Sequence, residues 1–152
     1  MAVGTTCQVV LTRVSQGFCA FSVADVVEIM RPGPVQPVPE APDWVLGLAV
    51  IRGGPVPVVD LGRFLAASKP RPAGRWLTLR IAGRQVAVAV PEVLGVRDLD
   101  ANLFGELPPL TRGAAGMASA GVLDNELLLV LEAARVMPEE LLSKLLGEAA
   151  PS

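Results

Sequence analysis

The chain has 152 residues, which fits one domain of typical size or two very small ones. Its 13 Lys and Arg residues are balanced by 15 Asp and Glu residues, and this net charge of −2, without a basic stripe, argues against a nucleic-acid binder. The absence of histidine excludes Ser-His-Asp and Cys-His catalysis, histidine metal ligands and phosphotransfer through histidine.

Hydrophobic residues make up 51% of the chain, enough to bury a core, which argues against intrinsic disorder. Residues 1–6 have neither the basic nor the apolar region of a signal peptide, and no apolar run approaches the roughly 18 residues of a membrane span. We therefore expect a soluble, cytoplasmic protein. Cys7 and Cys19 are expected to be buried apolar thiols, with a disulfide as the alternative.

The first half of the chain predicts β-strands, because short runs rich in Val, Leu and Ile are divided by Gly, Pro and Asp. We predict strands at 9–14, 18–22, 26–30, 45–51 and 56–59, an extended loop at 35–43, a helical turn at 62–67 and a linker at 68–74. Pro55 and Pro57 lack a backbone N–H, so they indicate an edge position or a bulge.

The second half repeats this alternation. We predict strands at 76–81, 85–90, 93–99, 116–123 and 126–131, with a loop at 100–111 that contains Pro108 and Pro109. Residues 138–147 begin with proline and two acids, keep apolar residues at helical spacing and end on glycine, which predicts an amphipathic helix. This helix either packs on the strands or, as the alternative, docks a partner.

The two halves also align with each other. Residues 20–27 align with 87–94 at an offset of 67 residues, and residues 58–60 align with 130–132 at an offset of 72. An internal repeat of this length predicts two similar β-units of roughly five strands each. Because units this small bury little surface alone, they are expected to share an interface.

Arg52 lies at the tip of a predicted hairpin of apolar strands, followed by Gly53 and Gly54, which suit the positive φ of a tight turn. Arginine keeps its charge and is costly to bury, so at a hairpin tip it is suited to binding a partner. The alternative is an exposed turn arginine with no partner. At the offset of 72 its counterpart is Asp124, an ordinary turn residue, so the turn itself does not require arginine.

Glu28 is the second candidate, because its counterpart at the offset of 67 is Gly95. The alternative is a glutamate that merely faces solvent on its strand. Catalytic candidates are weak, since the acid pairs at 98/100 and 139/140 are expected in loops or on a solvated helix end, with no base beside them. We therefore expect no catalytic residue, no metal ligand and no cofactor.

Several motifs, in this order along the chain, resemble the CheW-like domain family. They are Val-x-Glu-Ile at 26–29, Gly-x-x-x-x-Arg-Gly at 47–53 and Pro-Val-Val-Asp-Leu at 57–61. The second half adds residues 93–99, Gly121-Val122 and residues 128–132. The resemblance extends from about Cys7 to Met137, and the combination is specific where any one motif alone would be weak.

This resemblance implies a mainly β fold of two intertwined SH3-like five-stranded β-barrels with a short C-terminal helix. We expect a single CheW-like domain at 7–137, with a first barrel at roughly 18–68. The second barrel is expected at roughly 76–137, completed by the N-terminal strand 7–14, and the C-terminal helix at 138–148.

The resemblance further implies a non-enzymatic adaptor that couples the cytoplasmic tips of chemoreceptors to the regulatory domain of a CheA-type histidine kinase, at the inner face of the membrane. Other CheW-like domains are a further expected partner. Family positions associated with partner contact fall on Val26, Glu28, Gly47, Arg52 and Gly53. The alternatives are a CheW-like scaffold that works in motility or other signalling without direct kinase activation, and a barrel that binds a small ligand.

Overall fold

Short β-strands make up most of the regular structure in the computed structural model, which describes residues 6–14, 17–65, 72–100, 105–106 and 117–147. The strands are β1 Thr6–Val14, β2 Gly17–Ser22, β3 Val26–Met30, β4 Val45–Ile51, β5 Gly54–Asp60, β6 Arg75–Ile81, β7 Arg84–Val90, β8 Glu92–Asp100, β9 Gly105–Glu106, β10 Met117–Leu123 and β11 Glu126–Leu131. The helices are α1 Leu61–Phe64, α2 Ala133–Val136 and α3 Glu139–Leu145, with a 3-10 turn at Val23–Asp25.

The strands form two sheets that repeat one another. The first sheet has the order β3-β6-β7-β5-β4, and the second has the order β8-β1-β2-β11-β10, with the two-residue β9 added beyond β10. Each sheet contains one parallel pairing, β5 with β7 in the first and β11 with β2 in the second. The predicted mainly β fold of two five-stranded, SH3-like barrels is therefore confirmed, and these sheets are called the first barrel and the second barrel below.

The assignment of hairpins to the two barrels differs from the prediction. β2 belongs to the second barrel rather than to a first barrel at 18–68, and β6 and β7 belong to the first barrel rather than to a second barrel at 76–137. The β1–β2 hairpin of the first half thus completes the second barrel, and the β6–β7 hairpin of the second half completes the first barrel. Chain proximity could not reveal this exchange, because it depends on the long-range pairings of β3 with β6 and of β1 with β8.

The prolines of β5 lie neither on an edge strand nor at the bulge of the β4–β5 pairing, whose register shifts between Val45 and Gly47. β5 lies between β7 and β4, so it is an interior strand and the predicted edge position is wrong for the strand as a whole. Its pairing with β7 covers Val58 to Asp60, whereas Pro55 and Pro57 are paired with β4. The missing proline N–H groups therefore fall where the strand is bonded on one side, as the chemistry of proline requires.

Some short elements escaped the sequence prediction, which had placed β9 inside a loop and had no helix at α2. These elements are two and four residues long, too short to carry a hydrophobic period. Parts of the predicted helical turn at 62–67, of the linker at 68–74 and of the loop at 100–111, including Pro108 and Pro109, lie outside the described residues.

The main hydrophobic core lies between the two barrels and also holds the C-terminal helix. It combines Phe21 of the second barrel with Leu77 and Val88 of the first, all with no accessible surface, and Leu142 of α3 is equally buried. The helix thus packs on the barrels. Within the described residues, none of the helices has the length and apolarity that crossing a membrane requires.

The two cysteines differ in their surroundings, and both are free thiols. Cys19 is fully buried on β2, as predicted, and burial raises the pKa of its thiol. Cys7 is exposed, so the prediction of a buried thiol there was wrong. The reason is its position near the start of β1, where β1 is paired with β8 at Leu99 but has not yet met β2, whose pairing begins at Val9.

Candidate protein-interaction site at the tip of the first barrel

Arg52 occupies the first central position of the turn between β4 and β5. Its φ is 52° and that of Gly53 is 84°, the two positive values of a type I′ hairpin turn. The same turn joins β10 to β11, where Asp124 and Asn125 have φ values of 50° and 63°. Asp, Asn and Gly are the residues that this turn favours, so an arginine in the left-handed region is a local cost that the barrel does not require.

The Arg52 side chain forms an ion pair with Glu28. Nη2 of Arg52 donates a hydrogen bond to Oε2 of Glu28 at 2.5 Å. Glu28 belongs to β3, one edge of the first sheet, whereas Arg52 follows β4, the opposite edge. The pair therefore joins the two edges of the sheet and closes the tip of the first barrel.

The hydroxyl of Thr78 fixes the backbone of Glu28. The backbone N–H of Glu28 donates to Oγ1 of Thr78 at 3.1 Å, and the Thr78 hydroxyl lies 3.3 Å from the backbone oxygen of Glu28. Thr78 is fully buried, and the pairing of β3 with β6 shifts register beside it, between Val26 and Glu28. A bulge changes the direction of neighbouring side chains, and the Glu28 side chain beside this one reaches Arg52 at the hairpin tip.

The ion pair is asymmetric in its exposure to solvent. The Arg52 side chain is 73% exposed and that of Glu28 is 25% exposed. The hydrogen bond and the charge of Glu28 raise the pKa of the Arg52 guanidinium, which stays cationic at any physiological pH. Since a guanidinium carries five N–H donors, Arg52 can keep Glu28 and still present donors to an acceptor on another molecule.

The remaining predicted contact residues have other positions in the first barrel. Gly47 is buried with φ at +143°, and a Cβ there would lie 2.1 Å from the backbone oxygen of Gln36. Gly53 completes the turn, and Val26 is half-buried against the main core. Glu28 and Arg52 are thus brought into direct contact, a pairing that the sequence did not predict.

Exposed apolar side chains surround both barrel tips at repeat-equivalent positions. Val50 on β4 is 80% exposed, and its counterpart at the offset of 72, Val122 on β10, is 62% exposed. On the edge strands the counterparts at the offset of 67 are Ile29 on β3 and Val96 on β8, and both are exposed. Large apolar side chains that recur in solvent at one place of a repeated fold indicate binding surfaces.

The sequence analysis predicted the strands that carry these apolar side chains but did not single out the side chains themselves. The alternation of side chains along a strand could have indicated them, because Val50 lies between the buried Ala49 and Ile51 and must point to the opposite face. Only the register of the sheet shows which face of each strand is covered, and that register depends on long-range pairing.

Comparison with known proteins identifies the fold. A model of the CheW-like domain matches residues 8–141. The chain is 34% identical over 123 residues to "Protein FrzA" of Myxococcus xanthus, covering 73% of this chain and 76% of that protein. It is 29% identical over 132 residues to "Chemotaxis protein CheW" of Rhizobium meliloti (strain 1021), covering 82% and 83%. The crystal structure of scaffolding protein TtCheW from Thermoanaerobacter tengcongensis shares the fold, with a TM-score of 0.77, 20% identity and coverage of 88% of this chain and 94% of that chain.

Exposed apolar side chains on both barrels are candidate contact surfaces for protein partners. The chain belongs to the CheW-like domain family, as its motifs predicted. The family and the curated relatives make it a CheW-like protein of chemotaxis-type signalling.

Proposed function

We propose that this protein is a cytoplasmic adaptor that couples the cytoplasmic tips of chemoreceptors to the regulatory domain of a CheA-type histidine kinase. The observation that carries the proposal is Arg52, an exposed cation in a turn that does not need arginine. A long charged side chain in a conformationally disfavoured turn position is a candidate for a role in binding rather than in folding. Membership of the CheW-like family supplies the class of partner.

The tip of the first barrel is proposed as one contact surface. In this proposal Arg52 and Glu28 provide charge and register, Gly53 forms the turn with Arg52, and Val26 and Gly47 lie on the strands β3 and β4 that carry the pair. Burial of neighbouring apolar side chains such as Val50 would supply affinity, whereas the charges would supply specificity.

The apolar tip of the second barrel is proposed as a separate surface. An adaptor must hold kinase and receptor together, so two surfaces are needed, and Val96, Val122 and Leu127 offer the second one. Leu127 is 51% exposed and lies directly opposite Val122 in the β10–β11 hairpin. Other CheW-like domains are candidate partners for the same tips, because they have the same double-barrel form.

Isothermal titration calorimetry with a kinase regulatory domain and a receptor cytoplasmic fragment tests the proposal. Arg52→Glu is expected to weaken at least one of the two interactions by about tenfold or more. Arg75→Glu is the matched control, since Arg75 is exposed at the other end of β6 and its described hydrogen bond is to the backbone oxygen of Gly74. Wild-type affinity of Arg52→Glu for both partners would contradict the assignment.

A reconstituted kinase assay separates this function from that of a scaffold without direct kinase activation. The adaptor is expected to raise autophosphorylation of the kinase in the presence of receptor fragments. Binding to both partners with no change in kinase activity would favour the scaffold.

A further inference from the structure

The second barrel contains a carboxylate bound to an arginine near its tip. Glu126, the first residue of β11, accepts two hydrogen bonds from Arg13 of β1, Nη1 to Oε1 at 3.2 Å and Nη2 to Oε2 at 3.1 Å. The Arg13 guanidinium also lies 4.4 Å above the centroid of the Phe18 ring. This bidentate pair spans β2, which separates the two strands.

The first barrel repeats the arginine of this arrangement but not the carboxylate. Arg80 faces Gln85 in the β6–β7 hairpin as Arg13 faces Phe18 in the β1–β2 hairpin. Gly54 opens β5 opposite Ile51, in the same register in which Glu126 opens β11 opposite Leu123. The residue-by-residue counterparts are Arg13 with Arg80, Phe18 with Gln85, and Glu126 with Gly54.

An open pocket lies where the carboxylate is missing. Its volume is about 400 Å³, and its walls are formed by residues that include Arg52, Gly54, Pro55, Arg84, Gln85 and Leu146. A Cβ built on Gly54 would meet no atom within 4 Å, so there is room for a side chain at this place. We call this feature the Gly54 pocket.

Two of the described residues that line the Gly54 pocket carry a positive charge. Arg52 and Arg84 line it, and the exposed Arg80 belongs to the same hairpin as Arg84, whereas Glu28 is the carboxylate that acts on Arg52. Pro55 and Leu146 add apolar wall beside the guanidinium groups. A ligand that fits this chemistry carries a carboxylate next to an apolar side chain.

We propose that the Gly54 pocket binds an Asp or Glu side chain of a partner protein, in the place that Glu126 holds within the second barrel. The proposal deepens the adaptor function and rests on it for the identity of the partner, although the binding chemistry stands on the internal repeat. It predicts that the partner segment at the first barrel is acidic and that its carboxylate is flanked by an apolar residue.

A peptide titration tests this proposal without kinase or receptor. The probe is the capped dipeptide N-acetyl-Glu-Leu-amide, and the readout is the NMR shift of the Gln85 side-chain amide. Saturable binding with a dissociation constant on the order of 1 mM is expected, because a ligand this small buries little surface. N-acetyl-Gln-Leu-amide, which lacks the charge, is expected to give no saturable shift.

Three variants make the test specific. Gly54→Glu supplies an internal carboxylate and is expected to abolish dipeptide binding, while Arg84→Gln and the surface variant Arg80→Gln are each expected to weaken it about threefold or more. No saturation by the Glu dipeptide, equal saturation by the Gln dipeptide, or wild-type binding by Gly54→Glu would each overturn the proposal. If the wild-type protein binds the Glu dipeptide but binds neither the kinase regulatory domain nor the receptor fragment, the adaptor function is contradicted and the Gly54 pocket proposal is not.

Discussion

The guanidinium of Arg52 lies 2.5 Å from the carboxylate of Glu28, and this ion pair joins the two edges of the first sheet. The second barrel has Gly95 and Asp124 at the equivalent positions, which cannot form such a pair. The fold therefore closes a barrel tip without it. What the pair adds to the first barrel is a fixed, solvent-exposed cation beside apolar side chains, which is why we assign it to partner binding.

Replacement of Arg52 by Asn is expected to separate folding from binding. Asn suits the positive φ of this position, so the loss of an exposed ion pair is offset and the Tm should stay within about 4 °C of wild type. Affinity for the kinase regulatory domain or the receptor fragment should fall about tenfold or more. Differential scanning calorimetry and titration calorimetry measure the two effects.

Asp124→Asn is the matched control for that variant, because it changes the equivalent turn of the second barrel. It should leave both the Tm and the affinity at the first barrel unchanged. An Arg52→Asn protein that binds as wild type does, or an Asp124→Asn protein that loses binding equally, would remove the special role of Arg52.

The strands were largely predictable from the sequence because they depend on local patterns. Runs of Val, Leu and Ile between Gly and Pro placed ten strands within a few residues of their observed bounds, and the repeat offsets paired Arg52 with Asp124 correctly. The exchange of hairpins between the barrels was not predictable, since it depends on pairing between segments about fifty or more residues apart. The contact of Glu28 with Arg52 was missed because it depends on the strand order, which places β3 and β4 at opposite edges of one sheet.

Gly47→Ala is expected to destabilise the protein by about 2 kcal/mol or more. The new Cβ would collide with the backbone oxygen of Gln36. Gln36 cannot easily move away, because its backbone N–H and oxygen are both hydrogen-bonded to Leu48. In addition, the φ of +143° is unfavourable for alanine. Urea unfolding measures the loss. Gly54→Ala is the control, since its Cβ meets no neighbour and its φ is not positive, and it should change the free energy of unfolding by less than about 1 kcal/mol. Similar losses in both variants would contradict this reading of Gly47.

Glu126→Gln is expected to reduce the loss of thermal stability that the protein shows as the pH is lowered. The hydrogen bonds from Arg13 lower the pKa of Glu126 below its ordinary value of 4.5, so the folded state binds its proton more weakly than the unfolded state does. The stabilisation is therefore present at neutral pH and is lost as the pH falls below about 4.5 through the lower, folded-state pKa. Tm measured from pH 7 to pH 3 should fall less steeply in the variant, and parallel curves would contradict the assignment.

Leu142→Ala tests the packing of α3. Leu142 has no accessible surface and belongs to the core shared by both barrels, so its truncation should cost about 2–5 kcal/mol of unfolding free energy. Chemical denaturation measures the loss, and Glu140→Ala on the exposed side of the same helix should have little effect. A negligible loss in Leu142→Ala would indicate a helix that docks elsewhere.

The most direct test of the central claim is the charge swap Glu28→Arg combined with Arg52→Glu. The doubly substituted protein keeps an ion pair between the two edges of the first sheet, so it should fold with a Tm close to that of wild type. If Arg52 contacts a partner, calorimetric titration should still show affinity for the kinase regulatory domain or the receptor fragment reduced about tenfold or more. Recovery of wild-type affinity for both partners in the swapped protein would show that the pair serves the barrel alone and would contradict the account.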